Sequence, residues 1–236
     1  MVATDPIVLS QQFLEAVKSG DARGRYREAL CALSGTTLDE RLADDDHKLA
    51  FWLNVYNAIV QCWLRETPAT FENRRAFFGT ETFCVAGESL TLDDVEHGIL
   101  RRSQTKYGLG YIPNPFASGF EKRHRLDARD PRIHFALNCG AKSCPPIRSY
   151  DPETVDEALD RATAHSLEME VRHYPEKGFA RIPRVMLWFR GDFGGKAGIY
   201  DLLHKFGVVP RTDRPRLQYS DWDWTMARNN FSEQSQ

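Results

Sequence analysis

The stretch DDDHKLAFWLNVYNAIVQCWLRE, residues 44–66, constrains the fold more than any other part of the chain. Three acidic residues open it, where they complement the positive end of a helix dipole, and Pro68 follows its end. After the first turn the segment is apolar almost all round, which is typical of a helix buried on every side. The sequence therefore predicts one central helix that the remaining chain has to cover.

Three amides interrupt this apolar cylinder at helical spacing, namely Asn54, Asn57 and Gln61. Asparagine is a poor helix former, so two of them within a helix indicate a hydrogen-bonding duty. The amides either tie loops to the core or line a site, in which case Asn54 and Asn57 are binding candidates.

The remaining patterns predict a helix-rich α+β single domain. IHFALN at 133–138 favours a strand, FARIPRVMLWF at 179–189 favours one or two more, and TVDEALDRATAHSLEMEV at 154–171 favours a helix. Residues 103–130, rich in glycine, proline and charge, favour a long surface loop. We expect a small β-sheet that carries IHFALN beside the central helix. TFCVAG, at 82–87, favours a further short strand.

The expected organisation has three parts. Residues 1–43 form an N-terminal helical extension packed on the core, residues 44–228 form the main domain, and residues 229–236 form a flexible polar tail.

Composition limits the partners and the compartment. A charged fraction of 27% with a net charge of −2 gives no overall attraction to nucleic acid or to a membrane, although local patches remain open. The chain has no secretory signal pattern and no apolar run of about 18 residues. Five scattered cysteines do not match the dense, even frameworks of small secreted domains. We expect a cytoplasmic protein with mostly reduced thiols, no cofactor and a protein or peptide partner.

A capping-box pattern, Thr91 with Asp94 three residues later, predicts the start of a second helix. On an α-helical wheel Glu96 points toward the apolar face, whereas His97 points the other way together with Arg101. A carboxylate in a core needs a partner, so Glu96 is either part of a structural ion pair or an orienting or acid/base group. His97 and Arg101 are binding candidates.

The strand predicted at 133–138 places His134 on the face opposite its apolar residues, among small or polar neighbours. Gly140 then permits a sharp turn, and Cys144 precedes a short helix predicted to begin at the two prolines. The positive helix end and Lys142 would lower the pKa of the Cys144 thiol, whereas Cys139 resembles a small buried hydrophobe. Cys144 therefore ranks ahead of Cys139 as a nucleophile.

Papain-like catalysis needs a thiolate, an imidazole and an orienting acid. The chain supplies these types as Cys144 or Cys139, with His134 as base and Glu96 as orienter. Backbone N–H groups from Gly140 to Ser143 are the candidates for holding an oxyanion.

Two other roles for the cysteines remain open. A disulfide between Cys139 and Cys144 would close a short loop. Zinc bound by both thiols and His134 is the other alternative, although the paired ligand spacing of common zinc sites is absent.

Five segments, in this order and spacing, resemble the domain-of-unknown-function family 547 over roughly residues 44–226. They are AFWLNVYNAIV, LTLDDVEHGILRR, DPRIHFALNCGAKSCPPI, WFRGDFGG and DWDW. The motifs are similar to those of the family version that follows glutaredoxin and DEP domains in eukaryotic proteins. Neither of these domains precedes the motifs here, so we expect a stand-alone version or a fragment. Segment 112–130 is longer and more charged than that pattern. The resemblance directs attention to Asn54, Tyr56, Asn57, Glu96, His97, Arg101, His134, Cys139, Gly140, Cys144 and Pro145.

Two function classes follow from these observations. The first is a cysteine-dependent hydrolase or acyl transferase with a papain- or transglutaminase-like core. The second is a non-catalytic interaction or scaffold domain in which the same motifs are structural.

Overall fold

A computed structural model describes residues 4–21 and 23–232 of the chain. The described residues form helices α1 Pro6–Ser19, α2 Gly24–Cys31, α3 Gly35–Arg41, α4 Asp45–Glu66, α5 Arg74–Gly79, α6 Gly119–His124, α7 Val155–Glu170, α8 Val185–Trp188 and α9 Gly195–Lys205. A π-helix spans Asp94–Leu100, and short 3-10 helices span Pro68–Glu72, Pro131–Phe135 and Pro175–Lys177. The strands are β1 Phe83–Val85, β2 Glu88–Leu90, β3 Arg172–Tyr174, β4 Phe179–Ile182 and β5 Arg216–Tyr219.

Helix α4 is the central element, as predicted. It begins after Asp44, whose carboxylate accepts the N–H of His47 at 2.9 Å, and every side chain from Lys48 to Leu64 is buried. Helix α1 packs along it through Phe13 and neighbouring apolar residues that are also buried. Each large apolar side chain removed from water here contributes about 1.5–3 kcal/mol, which makes α4 the main source of packing energy. Within the described residues, no helix is at once long enough and apolar enough to cross a bilayer.

The asparagines of α4 tie loops to the core, which confirms the first of the two roles considered for them. Asn54 donates to the carbonyl of Tyr150 at 2.8 Å and accepts the N–H of the same residue at 2.9 Å. Asn57 donates to the carbonyl of Ala136 at 3.1 Å and accepts the N–H of Asn138 at 2.9 Å. Both amides are fully buried. Backbone groups that would otherwise be buried without partners are thereby satisfied.

The described residues contain two small sheets. Strands β1 and β2 form an antiparallel hairpin, and β4 pairs antiparallel with β3 and parallel with β5. The hairpin is attached to α2 by a disulfide between Cys31 and Cys84, and the N–H of Ala86 donates to the carbonyl of Leu30. The expectation of reduced thiols is therefore wrong for this pair, while Cys62, Cys139 and Cys144 are free.

The strand predicted for IHFALN is wrong, because this segment contains the 3-10 helix Pro131–Phe135. Asp130 caps that helix by accepting the N–H of Arg132 at 2.9 Å, and proline occupies its first turn. Both of the sheets lie elsewhere. FARIPRVMLWF likewise divides into strand β4 and helix α8, and Pro183 separates them.

The C-terminal segment, residues 222–232, lies against α4 and against the chain around Ala141. Met226 pairs with Ala141 in an isolated antiparallel bridge, and the N–H of Asn229 donates to Gln61 on α4 at 2.9 Å. Of the tail expected over 229–236, residues 229–232 lie near Ile147, whose carbonyl accepts the N–H of Ser232 at 2.9 Å. Residues 233–236 lie outside the described residues.

Candidate functional site

A cavity of about 420 Å³ opens between α4, the π-helix, segment 134–144 and the C-terminal segment. Most of the residue types expected at a site line it: Tyr56, Asp93, Glu96, His97, Lys106, His134, Cys139 and Cys144. Its remaining walls are mainly aromatic: Phe78, Trp188, Phe189, Trp222 and Trp224. An apolar cavity with a few convergent titratable groups is the usual form of a small-molecule site.

The π-helix determines which side chains reach the cavity. Its capping box is present as predicted, since the N–H of Thr91 donates to Asp94 at 2.8 Å and Asp94 returns its own N–H to the Thr91 hydroxyl at 3.0 Å. The N–H of Arg101 then bonds the carbonyl of Glu96, five residues earlier, at 2.9 Å. The α-helical wheel is therefore wrong here: His97 and Arg101 are both buried, and do not point away from the core.

Asp192 joins three positive or imidazole groups beneath the cavity. Its carboxylate binds His134 Nε2 at 2.9 Å, Arg101 Nε at 2.6 Å and Arg129 Nη1 at 3.2 Å. Burial by itself raises the pKa of Asp192, but the hydrogen bonds from His134 and Arg101 outweigh it, and the pKa falls to about 2. Asp192 is therefore ionised at neutral pH. It lies in the WFRGDFGG segment, yet sequence reasoning did not select it as a site residue.

The bond to Asp192 fixes the state of His134. An ionised carboxylate only accepts, so Nε2 carries the proton and Nδ1 presents a lone pair. No hydrogen bond reaches Nδ1 from any residue within the described ranges. The ring stacks on Phe189 at 4.1 Å between centroids with an interplanar angle of 4°. Burial lowers the pKa of His134, and Asp192 opposes this only in part. The imidazole is thus neutral near pH 7.

His97 has the complementary tautomer. Arginine can only donate, so the contact of 2.9 Å between Arg101 Nη1 and His97 Nδ1 makes that nitrogen the acceptor. The proton then resides on Nε2, which lies 3.5 Å from Asp93 Oδ1. Burial, and next the charge of Arg101, hold the pKa of His97 well below its ordinary value. The remaining ring nitrogen is therefore a donor in His97, at Nε2, and an acceptor in His134, at Nδ1.

Among the described residues no hydrogen bond or ion pair joins Glu96 to His134, and the carboxylate that binds the His134 ring is that of Asp192. The Tyr56 hydroxyl donates to Glu96 Oε2 at 3.1 Å, and Glu96 Oε1 lies 3.6 Å from His97 Nδ1. Burial raises the pKa of Glu96 to about 7, although Arg101 acts in the opposite direction. A carboxyl group with that pKa is partly protonated at neutral pH, which suits acid/base chemistry.

The two cysteines have exchanged their expected environments. Cys144 is 5% exposed, and burial, followed by neighbouring Cys139, holds the pKa of its thiol well above the ordinary value. No helix begins at the prolines, so the dipole argument for Cys144 fails. Cys139 is only half-buried, and its N–H donates to Cys144 Sγ at 3.1 Å. Cys139 is therefore the more accessible thiol on the cavity wall.

The turn after Cys139 is committed to other bonds. Gly140 adopts the left-handed conformation predicted for a turn, with φ of +85°, and a Cβ there would lie 2.7 Å from Leu64. Its N–H donates to Asn138 Oδ1 at 2.9 Å. The N–H groups of Lys142 and Ser143 donate to carbonyls of the C-terminal segment. These groups are not free to hold an oxyanion, and Ser143 instead anchors that segment by accepting the N–H of Asp223 at 2.8 Å.

The two alternatives for these cysteines are not what the structure contains. Cys139 and Cys144 are free thiols rather than a disulfide. Within residues 4–21 and 23–232, no group of three or more His, Cys, Asp or Glu side chains has the arrangement of a metal site.

Comparison with known proteins gives a family and no function. No curated protein and no solved structure matches the chain. The family described as "Protein of unknown function, DUF547" matches residues 40–166, which is more than half of the chain and includes α4, the π-helix, His134 and both cavity cysteines. The chain is a member of the DUF547 family.

Proposed function

We propose that the cavity is the active site of a cysteine-dependent hydrolase or acyl transferase, with Cys139 as the nucleophile. The observation that carries this proposal is the shared cavity wall. It brings the half-buried Cys139 together with the Glu96 carboxyl group and with two neutral imidazoles of opposite tautomer, His97 and His134. Acyl transfer uses a nucleophile, a group that accepts and returns a proton, and a donor that stabilises the oxyanion, and these groups can supply all three roles. A papain- or transglutaminase-like relation of the core is part of the same proposal.

His134 and Asp192 act as base and orienter. Asp192 holds Nε2–H, so Nδ1 of His134 accepts the thiol proton of Cys139. No hydrogen bond joins a cysteine sulfur to an imidazole in the described part of the chain. Contacts of this kind commonly tighten only once substrate is bound.

The reaction balances with water or a second nucleophile as acceptor. Cys139 sulfur attacks the acyl carbon, its proton passes to His134, and the leaving group departs with a proton from Glu96 or from the imidazolium. The thioester is then cleaved by water, or by the acceptor of a transferase, which restores the thiol. Because the turn N–H groups are engaged and the Tyr56 hydroxyl already donates to Glu96, His97 Nε2–H is the donor assigned to the developing oxyanion.

Thiol reactivity tests the proposal without knowledge of the substrate. Iodoacetamide labelling is followed against pH, and peptide mass spectrometry resolves each cysteine. We expect Cys139 to be alkylated faster than the buried Cys144 at neutral pH, and the His134→Ala variant to lose much of this advantage, because the imidazole accepts the thiol proton. Cys62→Ser, which changes a thiol buried within α4, is the matched control and should leave the Cys139 profile unchanged.

Turnover provides the second readout. A panel of p-nitrophenyl esters and acyl thioesters is assayed with the intact protein and with Cys139→Ser. Hydrolysis should fall to the uncatalysed background in the variant. Ordinary reactivity of Cys139, together with turnover that survives Cys139→Ser, would overturn the proposal.

A non-catalytic interaction domain is the second candidate. The absence of a sulfur–imidazole bond among the described residues and the committed N–H groups of Gly140, Lys142 and Ser143 favour it. In that case the cavity binds an apolar group of a partner. Labelling of Cys139 is then the same in the unchanged protein and in the His134→Ala variant.

A further inference from the structure

The apolar loop, which we define as residues 103–117, exposes an unusual set of side chains. Among the described residues, seven large apolar side chains are exposed, and five of these lie in this loop. They are Tyr107 at 78%, Leu109 at 42%, Tyr111 at 56%, Ile112 at 54% and Phe116 at 89%. Single exposed apolar residues are ordinary, but a concentration of this kind marks an interaction surface.

Backbone bonds hold the two arms of this loop together and its tip against the protein. Asn114 donates to the carbonyl of Ser103 at 2.7 Å, and Thr105 donates to that of Ile112 at 2.9 Å. The tip docks on the segment before α9, where the N–H of Gly191 donates to Leu109 at 2.7 Å. A Cβ at Gly191 would lie 2.4 Å from the carbonyl oxygen of Gly110, so only glycine permits this approach. The exposed rings are therefore presented to solvent on a fixed frame.

The surroundings of the loop are basic. Residues 102–125 contain five basic residues and one acidic residue, in a chain whose net charge is −2. Lys106 is paired with Asp93 at 2.8 Å. Arg102 and Lys122 are exposed and have no acidic partner within the described ranges. Two cations in the segment that contains the apolar loop are therefore exposed without a protein counter-ion.

We propose that the apolar loop docks on the surface of a lipid bilayer that contains anionic headgroups. Aromatic and aliphatic side chains that are held outward partition into the boundary between headgroups and acyl chains, and neighbouring basic residues are attracted to negative lipids. An anionic bilayer supplies both complements at one surface. Tyr107 and Leu109 also line the cavity, so docking brings the cavity mouth against the membrane. The docking itself stands independently of the catalytic proposal.

Vesicle co-sedimentation of the full chain tests this inference. Vesicles are prepared from phosphatidylcholine alone and from phosphatidylcholine with phosphatidylserine. We expect binding to the anionic vesicles, weaker binding to the neutral ones and release by salt, because exposed charges are screened. The double variant Ile112→Ser with Phe116→Ser should bind at least about tenfold more weakly, since two large apolar groups are lost. Arg102→Gln and Lys122→Gln should each weaken anionic binding about fivefold.

Matched controls separate docking from general hydrophobicity. Val8→Ser on α1 and Met169→Ser on α7 remove exposed apolar side chains outside the loop, at 41% and 61% exposure, and should bind as the unchanged protein does. Thermal melts verify that every variant is folded. Failure to bind anionic vesicles, or equal losses in loop and control variants, would overturn the proposal. If the protein does not bind vesicles but self-associates with rising concentration, and the loop variants abolish this self-association, the proposal is overturned and the loop binds a second copy of this chain.

Discussion

Replacing Asp192 by asparagine should destabilise the protein strongly at neutral pH. The carboxylate is 3% exposed, and its partner Arg101 has no exposed side-chain surface, so the variant leaves a guanidinium buried without its counter-ion. Removal of one partner from a buried ion pair costs about 3–5 kcal/mol. Asparagine keeps one of the two oxygens, so either His134, which binds Oδ2, or Arg129, which binds Oδ1, also loses its acceptor. With a typical total stability of about 5–15 kcal/mol, the loss is a large part of the whole.

The pH dependence gives the sign of the effect. The folded pKa of Asp192 is about 2 against an ordinary value of 3.8, which corresponds to about 2 kcal/mol of stability. Because the folded pKa is lowered, this stability is present above pH 3.8 and is lost as the pH falls toward 2. The difference between the two proteins should therefore shrink in acid.

Urea unfolding followed by tryptophan fluorescence measures this difference at pH 7 and at pH 3. Asp156→Asn is the control, because Asp156 also binds an arginine, Arg132 at 2.7 Å, but its side chain is 74% exposed. That change should cost less than about 1 kcal/mol. An Asp192→Asn variant within about 1 kcal/mol of the unchanged protein at pH 7 would refute the reasoning.

Two further predictions concern α4 and the π-helix. The folded pKa of Glu96 is raised from 4.5 to about 7, so its contribution is present below pH 4.5 and is lost as the pH rises through 7. As the pH rises from 4.5 to 8, the free energy of unfolding of Glu96→Gln should increase by about 3 kcal/mol relative to that of the unchanged protein. An equal increase in the exposed control Glu157→Gln would contradict this. Asn57→Ala leaves the buried carbonyl of Ala136 and the buried N–H of Asn138 without a partner, and should lower the free energy of unfolding in urea by about 3 kcal/mol. Asn73→Ala removes only an exposed helix cap and should lower it by about 1 kcal/mol. Equal losses at Asn57 and Asn73 would show that the loop ties contribute little.

Sequence patterns predicted the central helix and its amides well, because their causes are local. A helix that is apolar on all sides is stable only in the core, and an asparagine buried there needs hydrogen-bond partners. The capping box of Thr91 and Asp94 was predicted for the same reason, since its two bonds span three residues.

The site was harder to predict because its contacts are long-range and its helix is irregular. Asp192 lies 58 residues from His134 and 91 from Arg101, and no periodicity records such a meeting. The alternation of IHFALN resembles a strand, but Asp130 and the proline after it start a 3-10 helix, and Asn57 holds the following backbone on α4. That cap was a signal available in the sequence. The exposure of Cys139 and Cys144 depended on the same misassigned segment.

The π-helix makes the candidate site sensitive to chain length as well as to residue identity. One residue fewer between His97 and Arg101 would restore bonds to the carbonyl four residues earlier. Each residue after the deletion would then rotate by about 100° around the axis relative to Glu96. Arg101 would leave Asp192, and its contact with His97 would be lost with it. In an engineered library, a single deletion here should be far more damaging than most substitutions, although every side chain that lines the cavity is still encoded.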